Sequence, residues 1–170
     1  MMKRKWFYML IALQVMILVG IAGSNYVTLH YGERIVLKTE PIDPRDLFHG
    51  DYVTLNYDIS RIPLASWIDE EIPEHNEKVY VVLKEADSIY KVKNVHASKP
   101  NVQDGEVVLK GIVKGVHEQM GELFLNYGIE RYYVEEGSGK GIENNRPDKV
   151  SIRIAPWGQV TIEDLIYTND

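Results

Sequence analysis

Residues 50–57 read Gly50-Asp51-Tyr52-Val53-Thr54-Leu55-Asn56-Tyr57, or GDYVTLNY. The alternation from Asp51 to Ile59 puts Val53, Leu55 and Tyr57 on one face of a strand. Tyr52, Thr54 and Asn56 fall on the other, which predicts a strand with one apolar, core-facing side. Gly50 is the residue that tolerates a positive φ where the chain turns sharply into that strand. Asp51 has a short carboxylate suited to accepting backbone N–H groups in an Asx-type turn. Pro41 and Pro44 bracket the approach. The first reading of this corner is therefore structural. The functional alternative puts Arg45, Asp51 and Tyr52 on an exposed polar surface that meets a ligand or partner.

Outward from that strand, the β pattern recurs. Arg34–Lys38, Lys78–Leu83, Ser88–Val95 and Val107–Val116 read as strands, with a turn expected at Ala86-Asp87. Gly111 and Gly115 are candidate bulge positions within the last of these. Leu123–Val134 reads as a long aromatic strand broken near Gly128, and Val150, Ile152 and Ile154 alternate with Ser151 and Arg153. Pro156-Trp157-Gly158 turns into a final strand. Residues 60–77, with Pro63, Pro73 and Asp69-Glu70-Glu71, read as a loop with a short helix near Leu64–Trp67. About eight short strands with frequent turn signals predict an all-β antiparallel sandwich or small barrel.

The N-terminus is of another kind. Lys3-Arg4-Lys5 precedes Trp6–Ala22, a run interrupted only by Gln14 and carrying no charge. As a helix it spans roughly 25 Å, near the hydrocarbon thickness of a bilayer. The basic residues predict a cytoplasmic N-terminus with everything after the helix outside. The run exceeds the roughly 7–15-residue apolar core of a signal peptide, which favours an uncleaved anchor. Cleavage near Ala22-Gly23-Ser24 is the alternative. The expected division is 1–32 for basic stub, transmembrane helix and juxtamembrane segment, and 33–170 for an extracytoplasmic β-domain.

Composition narrows the function classes. The chain has no cysteine, which excludes disulfides, thiolate nucleophiles and cysteine metal sites. Its net charge is −6, and without Lys3-Arg4-Lys5 the remainder holds 16 basic against 25 acidic side chains, or −9. Such a surface repels polyanions, so no nucleic-acid partner is expected. His30, His49, His75, His96 and His117 show no metal-ligand spacing, and no metal or other cofactor is expected. Gly137-Ser138-Gly139-Lys140-Gly141 lacks both the upstream glycine and the Ser or Thr after lysine that a phosphate loop needs, so no nucleotide is expected. Arg131 and Glu143 flank that glycine loop.

GDYVTLNY resembles the signature of the GDYXXLXY protein family at Gly50, Asp51, Tyr52, Leu55 and Tyr57. The stretch Tyr127–Glu143 resembles that family's later segment of aromatics followed by glycines. The resemblance implies a membrane-associated bacterial protein and supplies no catalytic residue. A second likeness joins Pro44, Leu47, Gly50, Asp51 and Val53 to the Pro-x-Leu-x-x-Gly-Asp-x-Val pattern of type I signal peptidases. The proline-to-leucine spacing is one residue longer here, and Glu40-Pro41-Ile42-Asp43 holds no serine nucleophile. The expected role is a binding or assembly module acting with another membrane or envelope protein. Its candidate surface is Arg45, Tyr52, Arg131, Tyr132, Glu135 and Glu143. The alternative is an envelope hydrolase using carboxylates such as Asp43 and Asp51, on a distantly signal-peptidase-like β fold.

Overall fold

The computed structural model describes residues 2–40, 52–134 and 147–167. A single helix, α1 (Met2–Tyr31), precedes eleven strands among the described residues. Over Arg4–Tyr31 this helix is long and apolar enough to cross a membrane, and its apolar window is 0% buried against the rest of the protein. It is apolar on every side, as a helix solvated by lipid would be.

The helix stops where Gly32 turns the chain directly into β1 (Glu33–Glu40). The Gly32 N–H donates to the Thr28 carbonyl at 2.9 Å. A Cβ at Gly32 would overlap the Thr28 carbonyl oxygen and stand 3.1 Å from that of Ile154. No flexible linker intervenes. Thr28 is buried, and the Gln159 side chain donates to Asn25 Oδ1 at 2.8 Å. The last turns of α1 thus rest on the β-domain.

The remaining strands are β2 (Tyr52–Thr54), β3 (Asn56–Tyr57), β4 (Arg61–Pro63), β5 (Lys78–Ala86), β6 (Ile89–His96), β7 (Glu106–His117), β8 (Glu122–Asn126), β9 (Arg131–Tyr133), β10 (Lys149–Ile154) and β11 (Val160–Ile166). They form sheets ordered β11-β10-β1-β3, β2-β9 and β4-β8-β7-β5-β6. All named strand pairs are antiparallel. Residues 52–57 join the sheets: β3 pairs with β1, β2 pairs with β9, and the intervening Leu55 N–H donates to the Glu130 carbonyl at 2.8 Å. β6 comes back beside β1, so the whole is a near-closed, barrel-like sheet. Its interior is one apolar cluster including Ile35, Leu37, Tyr57, Val81, Leu109, Leu123 and Ile152.

β8 and β9 are two halves of one strand, broken at Gly128, which has φ +81°. Nothing lies within 4 Å of where its Cβ would be. Gly128→Ala should therefore cost only the left-handed backbone penalty, about 1–2 kcal/mol, measurable by chemical denaturation.

Several expectations are corrected. The β5–β6 turn is Asp87-Ser88, with φ of 56° and 64°, one residue beyond Ala86-Asp87. The stretch from 60 to 77 contains β4, and Trp67 bridges Val95 in parallel, so it is not all loop. The bulge in β7 falls between Val113 and Gly115, at Lys114. Gly111 stays in register opposite Val79, and a Cβ there would stand 3.3 Å from the Tyr127 ring, so this glycine makes room for a tyrosine.

A polar network covers the outer face beside the end of α1. The register irregularity between Ser151 and Ile152 leaves Glu163 as the extra residue on β11. Its carboxylate accepts from Ser151 Oγ at 2.7 Å and from Arg153 Nε and Nη2 at 3.0 and 2.7 Å, and pairs with Arg34 at 2.8 Å. Arg153 also donates to the Gly32 carbonyl at 3.1 Å. Hydrogen bonds from Arg153 and Ser151, then the charges of Arg153 and Arg34, hold the Glu163 carboxyl below the usual carboxylate range. A depressed folded-state pKa stabilises the fold above the ordinary glutamate pKa and is lost as pH falls through the folded value. Glu163→Ala should cost about 2 kcal/mol at neutral pH. The difference from wild type should shrink in acid, as denaturation at about pH 7 and about pH 3 would show, the first well above and the second below the ordinary glutamate pKa of about 4.3.

Candidate functional site

The two faces of the segment from Tyr52 to Tyr57 do different things. On the inner face Val53, Leu55 and Tyr57 are all buried. Tyr57 is 0% exposed, and its hydroxyl donates to the Ile129 carbonyl at 2.7 Å. Tyr127 returns the arrangement, donating to the Ile59 carbonyl at 2.6 Å. Residues 57–59 and 127–129 are where both strands leave regular pairing, so two buried hydroxyls satisfy carbonyls the ladder has released. Glu130 completes the turn: its carboxylate accepts the N–H of Tyr127 at 2.5 Å and of Gly128 at 2.9 Å. Burial, then the Glu130 charge, raises the pKa of Tyr57 far above that of free tyrosine. Tyr127 is raised for the same causes, with Asp58 adding to them.

On the outer face the register sets Tyr52 opposite Tyr133, and Thr54 opposite Arg131. The Tyr52 and Tyr133 rings lie 5.9 Å apart, tilted at 60°. Arg131, diagonal to Tyr52, holds its guanidinium carbon 5.1 Å from the Tyr52 ring centroid. This is a cross-strand cation–π contact of the kind that fixes long side chains on a sheet surface. Tyr133 is 71% exposed. The three side chains present two phenol rings and a guanidinium, able to stack on planar groups and to pair with carboxylates.

Among the predicted surface residues, Tyr52 and Arg131 come together here. Tyr132 does not join them: it pairs with Val53 on the inner side and packs against the core. Arg45, Gly50, Asp51, Glu135 and Glu143 lie outside the described residues. Tyr133 is the member that sequence reading misses. Its signal is present, since it shares an alternating face with Arg131, but only the pairing with Tyr52 gives it meaning. Among the described residues, no group of three or more His, Cys, Asp or Glu is placed to hold a metal ion.

Neither a search of curated proteins nor a search of solved structures found a match to this chain. The family model described as GDYXXLXY protein matches residues 14–165, from within α1 into β11. With that match spanning most of its length, the chain belongs to the GDYXXLXY protein family.

Proposed function

We propose that this protein is a membrane-anchored module whose β-domain, residues 33–170, lies outside the cytoplasm and binds another membrane or envelope protein through the Tyr52–Arg131–Tyr133 face. The observation that carries the reading is the division of one strand between two tasks. Its inner side is wholly committed to the core, while its outer side holds an aromatic–cation cluster with Tyr133 71% exposed. Tyrosine and arginine are enriched among the residues that dominate binding energy at interfaces. Supporting the location are the apolar helix and Lys3-Arg4-Lys5 ahead of it.

The test is a photo-crosslinking amino acid at position 133 of the full chain in intact membranes. A defined adduct should form and be lost on Tyr52→Ala and on Arg131→Ala. Each variant should unfold within about 1 kcal/mol of wild type, since an exposed cation–π pair contributes no more than that. An adduct unchanged by both substitutions would refute this face as the binding surface.

A further inference from the structure

A shallow pocket of about 160 Å³ opens where the β10–β11 turn meets the outer face of β5 and β7. Tyr80, Lys99, Lys110, Pro156 and Trp157 are among its lining residues, and no carboxylate lines it among the described residues. In a chain of net charge −6 this is a local reversal of sign. Neither lysine side chain has an ion pair or hydrogen bond with a described residue, and both residues are exposed. The volume equals about five waters at roughly 30 Å³ each, enough for a phosphate ester.

The pocket has a fixed place relative to the helix. Trp157 donates from Nε1 to Gln159 Oε1 at 3.0 Å, and Gln159 donates to Asn25 Oδ1 at 2.8 Å. From Lys5 to Asn25 a helix rises about 30 Å, the thickness of the hydrocarbon layer. With Lys5 at one boundary, Asn25 and the turn bonded to it reach the opposite headgroup layer. Exposed Tyr26, Tyr31 and Trp157, at 61%, 78% and 56%, have the composition of an interfacial aromatic belt.

We infer that this pocket holds the phosphate headgroup of an anionic phospholipid, with Lys99 and Lys110 facing the phosphate and Trp157 seated at the acyl–headgroup boundary. The inference rests on the anchored topology proposed above. It gives the β-domain a second hold on the membrane, which sets its orientation on the bilayer.

The test uses the full chain reconstituted in vesicles of phosphatidylcholine alone or mixed with phosphatidylglycerol, with lysine acylation read by mass spectrometry. In the anionic vesicles Lys99 and Lys110 should be acylated roughly fivefold more slowly. Lys91, outside the pocket, should not change. Trp157→Ala and Lys110→Gln should each abolish the protection of Lys99. Inorganic phosphate added to phosphatidylcholine vesicles should protect neither lysine. Equal acylation in both lipids, with Arg4–Tyr31 still shielded from added protease, would overturn the headgroup site alone. Digestion of Arg4–Tyr31 would overturn the anchored topology and the site with it. Protection by inorganic phosphate would assign the pocket to a soluble anion. Protection that survives both substitutions would reduce it to diffuse surface charge.

Discussion

Tyr57→Ala should lower the unfolding free energy by about 3–5 kcal/mol, the cost of emptying a fully buried aromatic site. The ring is 0% exposed and lies at the join between the β1 ladder and the segment facing Ile129. Its loss opens a cavity and orphans the Ile129 carbonyl at once. Tyr57→Phe separates the two effects: it keeps the ring and should cost about 1–3 kcal/mol for the unpaired buried carbonyl. Tyr127→Phe should cost a similar amount through Ile59, since its hydroxyl bond is 2.6 Å. The double variant should fall short of the sum by about 0.5 kcal/mol or more, because each hydroxyl secures the segment the other depends on. Chemical denaturation of the full chain in mild detergent, followed by near-ultraviolet circular dichroism, measures all four variants against wild type. A Tyr57→Ala loss below about 1 kcal/mol would contradict its place in the core.

The same hydroxyls make the protein sensitive to alkali. Burial, with Glu130 beside them, raises both pKa values in the folded state. Free tyrosine ionises near pH 10, so the unfolded chain releases these protons there while the folded chain keeps them. The folded state then binds more protons, and stability falls as pH rises above about 10. Below that pH the contribution is fully present. Each tyrosine should add a slope of about 1.4 kcal/mol per pH unit, roughly 2.7 for the pair. Other groups titrate in this range, so the difference between wild type and Tyr57→Phe isolates one hydroxyl. Denaturation curves from about pH 9 to 11 should show the variant losing stability less steeply. Equal slopes would mean that Tyr57 ionises in the fold as it does in water.

What could be read from the sequence follows from how local each signal is. The inner face of Val53, Leu55 and Tyr57 is legible because a strand alternates residue by residue, whatever it pairs with. The break at Gly128 is legible because glycine alone takes φ +81° without strain. β4 is hidden: it is three residues long and ends in Pro63, which is tolerated where no ladder N–H is required. The turn is displaced to Asp87-Ser88 because residues without a glycine adopt left-handed conformations that composition does not announce. Ser151 reads as an outward residue, and by alternation it is one. It is nonetheless 0% exposed, since Arg34 and Glu163 close over it. The outer-face cluster needs residues 52 and 133 in register, and nothing local to either end specifies that pairing. Tyr133 is missed for that reason.

Both the proposed recognition face and the proposed headgroup pocket depend on which side of a membrane the β-domain occupies, and one measurement tests this directly. Alkaline phosphatase joined after Asp170, which requires an oxidising extracytoplasmic setting to fold, should be active in cells expressing the full chain. It should become inactive when Lys3-Arg4-Lys5 is changed to neutral residues and basic residues are placed just after Tyr31, reversing the charge bias that orients α1. An inactive fusion on the unaltered chain, with protein present in the membrane fraction, would place the β-domain in the cytoplasm and contradict the account.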